Sequence, residues 1–140
     1  MHLNVEGVVQ PSGSKGFVGG VVGQNKGVLN NVSFKGVVSG GDIVGGIVGH
    51  NGLTGIIQNC DMLGKVHGNH FVGGLAGENH GVIRYCNNEA YINTTPQQNS
   101  VGLSDITIES ITGSEAANTV TDIGGITGYN HGVIRECKNT

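Results

Sequence analysis

Val18-Gly19-Gly20-Val21-Val22-Gly23-Gln24-Asn25-Lys26-Gly27-Val28-Leu29 is the stretch on which the reading of this chain turns. It returns as Val44-Gly45-Gly46-Ile47-Val48-Gly49-His50-Asn51, then as Val72-Gly73-Gly74-Leu75-Ala76-Gly77-Glu78-Asn79-His80-Gly81-Val82-Ile83. A fourth copy is Ile123-Gly124-Gly125-Ile126-Thr127-Gly128-Tyr129-Asn130-His131-Gly132-Val133-Ile134. The starts (18, 44, 72, 123) lie 26, 28 and 51 residues apart. Self-similarity at such a period marks a stacked repeat, in which no unit buries its own apolar face and neighbours must supply the core. Two residues added around Leu53-Thr54 explain the 28. The 51 is close to two periods and predicts one degenerate coil near residues 99–122.

Composition says which element is repeated. Val and Ile number 30 against six Leu, and Gly numbers 27 of 140 residues. β-Branched side chains favour pleated strands, and frequent Gly penalises helix interiors. Twenty-six β-rich residues fit one coil of three short strands with turns between them. The expected fold is therefore all-β: a single right-handed parallel β-solenoid over residues 1–140, of about five coils rising about 4.8 Å each. Three columns should build its core. They are Val18, Val44, Val72 and Ile123; then Val21, Ile47, Leu75 and Ile126; then Leu29, Ile57, Ile83 and Ile134. The Gly-Gly pair reads as a bend, a positive φ or a close backbone approach. The column Asn25, Asn51, Asn79 and Asn130 reads as turn chemistry, with amides able to bond one another along the stack.

The phrase Val-Gly-Gly-Leu/Ile-x-Gly-x-Asn-x-Gly-Val-Ile, followed by Cys or Val, resembles the GLUG motif repeat. That repeat occurs in secreted and cell-surface bacterial proteins, including the non-catalytic part of zinc metallopeptidases that cut immunoglobulin A. The resemblance covers residues 18–92 and 123–140 and is weak at 1–17 and 93–122. It implies an extracellular address, at the cell surface or secreted, and says nearly nothing about activity.

A net charge of −3 supplies no basic face for nucleic acid or anionic lipid. No apolar run approaches the ~20 residues of a membrane helix. No partner nucleic acid and no membrane insertion are expected. Cys60, Cys86 and Cys137 share one repeat position with Val32, as small buried apolar residues would. Free thiols are expected there, with a Cys60–Cys86 disulfide as the alternative. The count is odd and no Cys-x-x-Cys pair exists.

The six His invite a metal reading. His67-Gly68-Asn69-His70 lies near His50 and His80 in the coil order, but no His-Glu-x-x-His motif is present. His80 and His131 stand where the first copy has Lys26, so they read as solvent-facing. Asp42 and Asp122 read as one column separated by several coils, too far apart for a glycosidase pair. Glu78, aligned with His50, could pair with it across one coil step. No catalytic, cofactor-binding or metal site is expected, and the chain is not expected to be an enzyme.

The expected function is that of a non-catalytic structural or adhesive segment of a bacterial surface protein. The alternative is a carbohydrate- or protein-binding module using one solenoid face or the irregular stretch 91–118, with a host or cell-surface protein or glycan as partner. Part of a polysaccharide-acting or peptidase enzyme ranks third. Tyr85, Tyr91 and Tyr129 are the candidate ring platforms and form no column. Gly7-Val8-Val9 resembles Gly36-Val37-Val38, and Cys137-Lys138-Asn139-Thr140 follows directly on a full motif, so both ends read as cuts through a longer array. Uncapped strand edges of that kind imply end-to-end self-association or fraying of residues 123–140.

Overall fold

The computed structural model describes residues 2–11, 16–93 and 122–140. The chain starts with β1 (Leu3–Val9) and then winds through groups of four strands. The first group is β2 (Phe17–Gly19), β3 (Val22–Asn25), β4 (Val28–Asn30) and β5 (Val32–Ser39). The second is β6 (Ile43–Gly45), β7 (Val48–Asn51), β8 (Ile56–Gln58) and β9 (Asp61–His67). The third is β10 (Val72–Gly73), β11 (Ala76–Asn79), β12 (Val82–Arg84) and β13 (Asn87–Ile92). The last is β14 (Ile123–Gly124), β15 (Thr127–Asn130), β16 (Val133–Arg135) and β17 (Lys138–Asn139). Among the described residues no helix is long and apolar enough to cross a membrane.

Equivalent strands pair in parallel, giving sheets ordered β1-β5-β9-β13-β17, β2-β6-β10-β14, β3-β7-β11-β15 and β4-β8-β12-β16. This is the expected parallel β-solenoid, with two corrections. Each coil has four strands rather than three, because the Gly-Gly pair ends one short strand and the next begins two residues later. The stack is also shorter than five coils: the described strands make about three turns, from β2 to β14. No coil stands between the third and fourth motif copies. β10 pairs directly with β14, Val72 opposite Ile123. The degenerate coil expected near 99–122 falls almost wholly outside the described residues.

The three aliphatic columns stack as expected. Val18, Val44, Val72 and Ile123 are in register, as are Leu29, Ile57, Ile83 and Ile134. Backbone bonds from Val21 to Ile47, Ile47 to Leu75 and Leu75 to Ile126 hold the third column. Burial is complete in the middle of the stack, at Val44, Ile47, Ile57, Val72, Leu75 and Ile83, and is lost at Ile123. Gly7, Val8 and Val9 pair with Gly36, Val37 and Val38, so β1 lies on the first coil as the resemblance of those triplets implied.

The paired glycines answer to space rather than to a positive φ. A Cβ on Gly45 would overlap the Val48 carbonyl and sit 2.7 Å from both Ala76 Cα and Gly77 N of the next coil. A Cβ on the second glycine would strike a side chain of the facing column: buried Phe34 from Gly20, Met62 from Gly46 and Asn88 from Gly74, and exposed Asn139 from Gly125. Left-handed backbone at non-glycine residues instead falls at Asn31, Asn59, Tyr85 and Glu136, one column immediately before Val32 and the three cysteines, and also at Phe71, Asn93 and Asp122. Asn suits that conformation, whereas Tyr and Glu occupy it at a cost. The turn asparagines, Asn25 and its copies, end strands and have a different task, described below.

Cys60 and Cys86 are buried and Cys137 is half-buried; all three are free. Each Sγ donates to the carbonyl two residues earlier, at 3.2 Å for Gln58, Arg84 and Arg135. The hydrogen bond with Cys60 and burial together push the Cys86 thiol well up, which keeps it protonated and unreactive. Because Cys60 and Cys86 are both buried, a native thiol assay should modify Cys137 at most, and denaturation without reductant should expose three thiols. Recovery of one thiol in the denatured chain would mean that Cys60 and Cys86 are joined.

Candidate functional site

The outward face of the β3-β7-β11-β15 sheet brings chemistry together. Gln24, His50, Glu78 and Tyr129 occupy one column of it, on four successive strands. Two residues beyond Glu78, after the strand has ended, His80 turns back toward it. His50 Nδ1 lies 3.0 Å from Glu78 Oε2, and His80 Nε2 lies 2.7 Å from Glu78 Oε1. A carboxylate can only accept, so both imidazoles donate to it. The pairing of His50 with Glu78 across one coil step is the contact the register implied. Burial opposes ionisation of Glu78, but the hydrogen bonds from His80 and His50 outweigh it and hold the carboxyl below its ordinary range.

Why these side chains stand still is visible one residue away. Asn25 Nδ2 donates to Asn51 Oδ1, Asn51 Nδ2 to Asn79 Oδ1 and Asn79 Nδ2 to Asn130 Oδ1, each at 2.8 Å. The same amides donate to the carbonyls of Gly27, Gly55, Gly81 and Gly132 just downstream. This amide ladder pins the corner after each β3-type strand, and Asn79 sits between Glu78 and His80. The stacking of amides anticipated from the Asn column is therefore present. A second, shorter ladder was not anticipated. Asn88 Nδ2 donates to Asn139 Oδ1 at 2.8 Å, in the core column that begins with Phe34 and Met62.

Rings run along this face. Phe17 stacks on His50 with centroids 4.8 Å apart. His50 lies 5.3 Å from His80, and His80 lies 6.0 Å from Tyr129 and 5.6 Å from His131. Tyr129 and His131 are parallel at 6.4 Å, and Phe71 meets Tyr129 edge-on at 5.5 Å. Tyr85 and Tyr91 stand elsewhere, so the three tyrosines indeed form no column. The strip escaped the sequence reading because half its rings are imidazoles. Alongside it runs a groove of about 410 Å³, walled by Gln24, Lys26, His50, Leu53, Thr54 and His80.

Among the described residues, His50, Glu78 and His80 are the one group of three whose ligand-type atoms gather, all within 4.8 Å of one another. His67 and His70 do not join them. His80 is not the free surface residue that its alignment with Lys26 suggested: only 25% of its side chain is exposed. Asp42 and Asp122 do not share a column. Asp122 precedes Ile123, which is level with Val44, so its own level is that of Ile43. The stretch 91–118, named as a ligand site, has only 91–93 among the described residues. No family model, curated protein or solved structure matches the chain.

Proposed function

We propose that the chain is a non-catalytic structural or adhesive repeat segment of a bacterial surface protein. The observation behind this reading is the uninterrupted in-register stacking of all four sheets, which makes a rigid support from short strands. The extracellular address, at the cell surface or secreted, rests on the resemblance to the GLUG repeat alone. One feature favours the alternative of a binding module for a cell-surface glycan or protein. The ring strip stays accessible, with Phe17 41% and Tyr129 40% exposed, and exposed rings on a rigid face are what such partners stack against. The outer coils also present strand edges able to pair with another copy of the chain.

Beads coated with the chain, presented to glycan-coated and protein-coated surfaces, test the reading. Adhesion above bare beads is the expected result. Its loss in a Tyr129→Ala, His131→Ala variant of unchanged melting temperature would assign it to the ring face. Beads that do not adhere, or that cleave the coating, would overturn the proposal. Light scattering of the same preparation over a concentration series reads end-to-end association.

A further inference from the structure

The cluster at His50, Glu78 and His80 does more than decorate the groove. We propose that His50 Nδ1, a carboxylate oxygen of Glu78 and His80 Nε2 form a zinc(II) site with its fourth position open to the groove. The inference is independent of the adhesive reading, since it rests on donor chemistry and spacing alone.

Two imidazoles and one carboxylate make a donor set that suits zinc and its first-row neighbours. Calcium and magnesium, which take oxygen ligands, suit it poorly. Zinc–ligand bonds of about 2.0–2.1 Å at tetrahedral angles put ligand atoms roughly 3.3 Å apart. The contacts to Glu78, 3.0 Å from His50 Nδ1 to Oε2 and 2.7 Å from His80 Nε2 to Oε1, are each near that value, one to either carboxylate oxygen. The widest separation among the three ligand atoms, within 4.8 Å, closes by a side-chain rotation. The rotation is available because the three side chains keep 17, 18 and 25% of their surface exposed. Binding would move each imidazole's proton to its other ring nitrogen and leave the carboxylate ionised, so zinc(II) would take the site from one negative charge to one positive charge, which a water-derived hydroxide or an anion at the open position would offset.

The backbone holds this geometry in place. His50 and Glu78 are register partners on adjacent strands. Between Glu78 and His80, Asn79 is locked from both sides by the amide ladder. Phe17 stacks on the His50 ring, with centroids 4.8 Å apart. Ligands fixed by strands and ladders are what a preorganised site requires. The ion would tie the second coil to the third, and its open position would face Gln24, Lys26 and Leu53 across the groove.

The test is titration of the whole chain with zinc chloride, and separately with cobalt chloride, followed by calorimetry and visible absorption. One equivalent should bind, cobalt should give the strong visible bands of a four-coordinate ion, and zinc should raise the melting temperature. Glu78→Gln, His80→Gln and His50→Gln should each weaken binding by about tenfold or more, the scale on which lost support around a metal is felt. The paired His67→Gln, His70→Gln variant should bind as the native chain does. Melting of each metal-free variant separates lost ligation from lost fold, and Glu78→Gln, which keeps the side-chain shape, is the decisive one. Native-like affinity in Glu78→Gln, loss of binding in the His67→Gln, His70→Gln variant instead, a weak six-coordinate cobalt spectrum, or a thiolate charge-transfer band would each overturn the proposal.

Discussion

Gly45→Ala should unfold the chain or lower its melting temperature by more than about 10 °C. The added methyl overlaps the Val48 carbonyl and stands 2.7 Å from Ala76 Cα and Gly77 N, and every one of these is backbone. A flexible side chain could swing aside; a strand bonded into its sheet cannot. Relief requires the corner between Gly45 and Val48 to open and the second and third coils to separate, and the bonds from Gly46 N to Gly73 O and from Val48 N to Leu75 O span the gap between those coils. Overpacking of this kind costs about 1–3 kcal/mol even where side chains can give. Against rigid backbone the cost should exceed about 4 kcal/mol, a large part of the 5–15 kcal/mol that stabilises a typical domain. The control is Gly27→Ala. A Cβ there meets nothing within 4 Å, and the residue does not have a positive φ. It should shift stability by less than about 0.5 kcal/mol, as surface changes usually do. Thermal melts and urea titrations of the two variants side by side would check the contrast. Equal effects would show that Gly45 is present for turn flexibility and not for room.

That contrast bears on what the sequence could say. Periodicity alone located the core, because aliphatic columns are a linear property: Val18, Val44 and Val72 align whatever the path between them. The number of strands per coil was not legible, since two glycines between apolar residues read equally as a bend within a strand and as a corner between two. The direct pairing of Val72 with Ile123 was hidden for a related reason: a spacing of 51 residues reads as two periods, and a spacing does not say which strands are neighbours.

The site was half legible. Glu78 beside His50 followed from register, but His80 was read from its column, where Lys26 stands in the first copy. A column fixes where a Cα lies and not which way the side chain turns, and at a strand end the carboxylate next door decides that. The Asn88–Asn139 ladder shows the same limit. Phe34 and Met62 predict an apolar residue at that level, and the chain places amides there, satisfied only because they meet each other and the nearby backbone. Asn–Asn pairs of that kind can be recognised only after the stacking order is known.

The amide ladder supplies the second large effect. Asn51 is fully buried. Its amide accepts from Asn25 and donates to Asn79 at 2.8 Å each, and donates to the Gly55 carbonyl at 3.1 Å. Asn51→Ala would remove one hydrogen bond each from Asn25 Nδ2, Asn79 Oδ1 and the Gly55 carbonyl, which keep their bonds with Gly27 O, Gly81 N and Val82 N. At about 1 kcal/mol net for each of the three hydrogen bonds lost, together with the cavity left in a buried site, the loss should reach about 3 kcal/mol. In a chain of this size that lowers the melting temperature by roughly 10 °C. Asn130→Ala, at the exposed end of the same ladder, should cost less than half as much, because water can replace the missing partner.

Asn51→Asp distinguishes the ladder from mere volume, since it keeps the shape. An ionised carboxylate accepts from Asn25 but cannot donate to Asn79 or Gly55, and it places a charge in a buried chain of amides. Burial and the loss of these acceptor partners would raise its folded-state pKa above the unfolded value of about 3.9. A raised carboxyl pKa makes the penalty largest above the folded pKa, and the penalty shrinks as pH falls from there toward the unfolded value. Once protonated, the side chain regains one donor and most of the ladder. The stability difference between Asn51→Asp and the native chain should therefore narrow on acidification, while that of Asn51→Ala stays constant. Urea titrations of both variants from neutral pH to about pH 4 read the two trends directly. Parallel curves would mean that the amides fill space at the corner without holding the coils together.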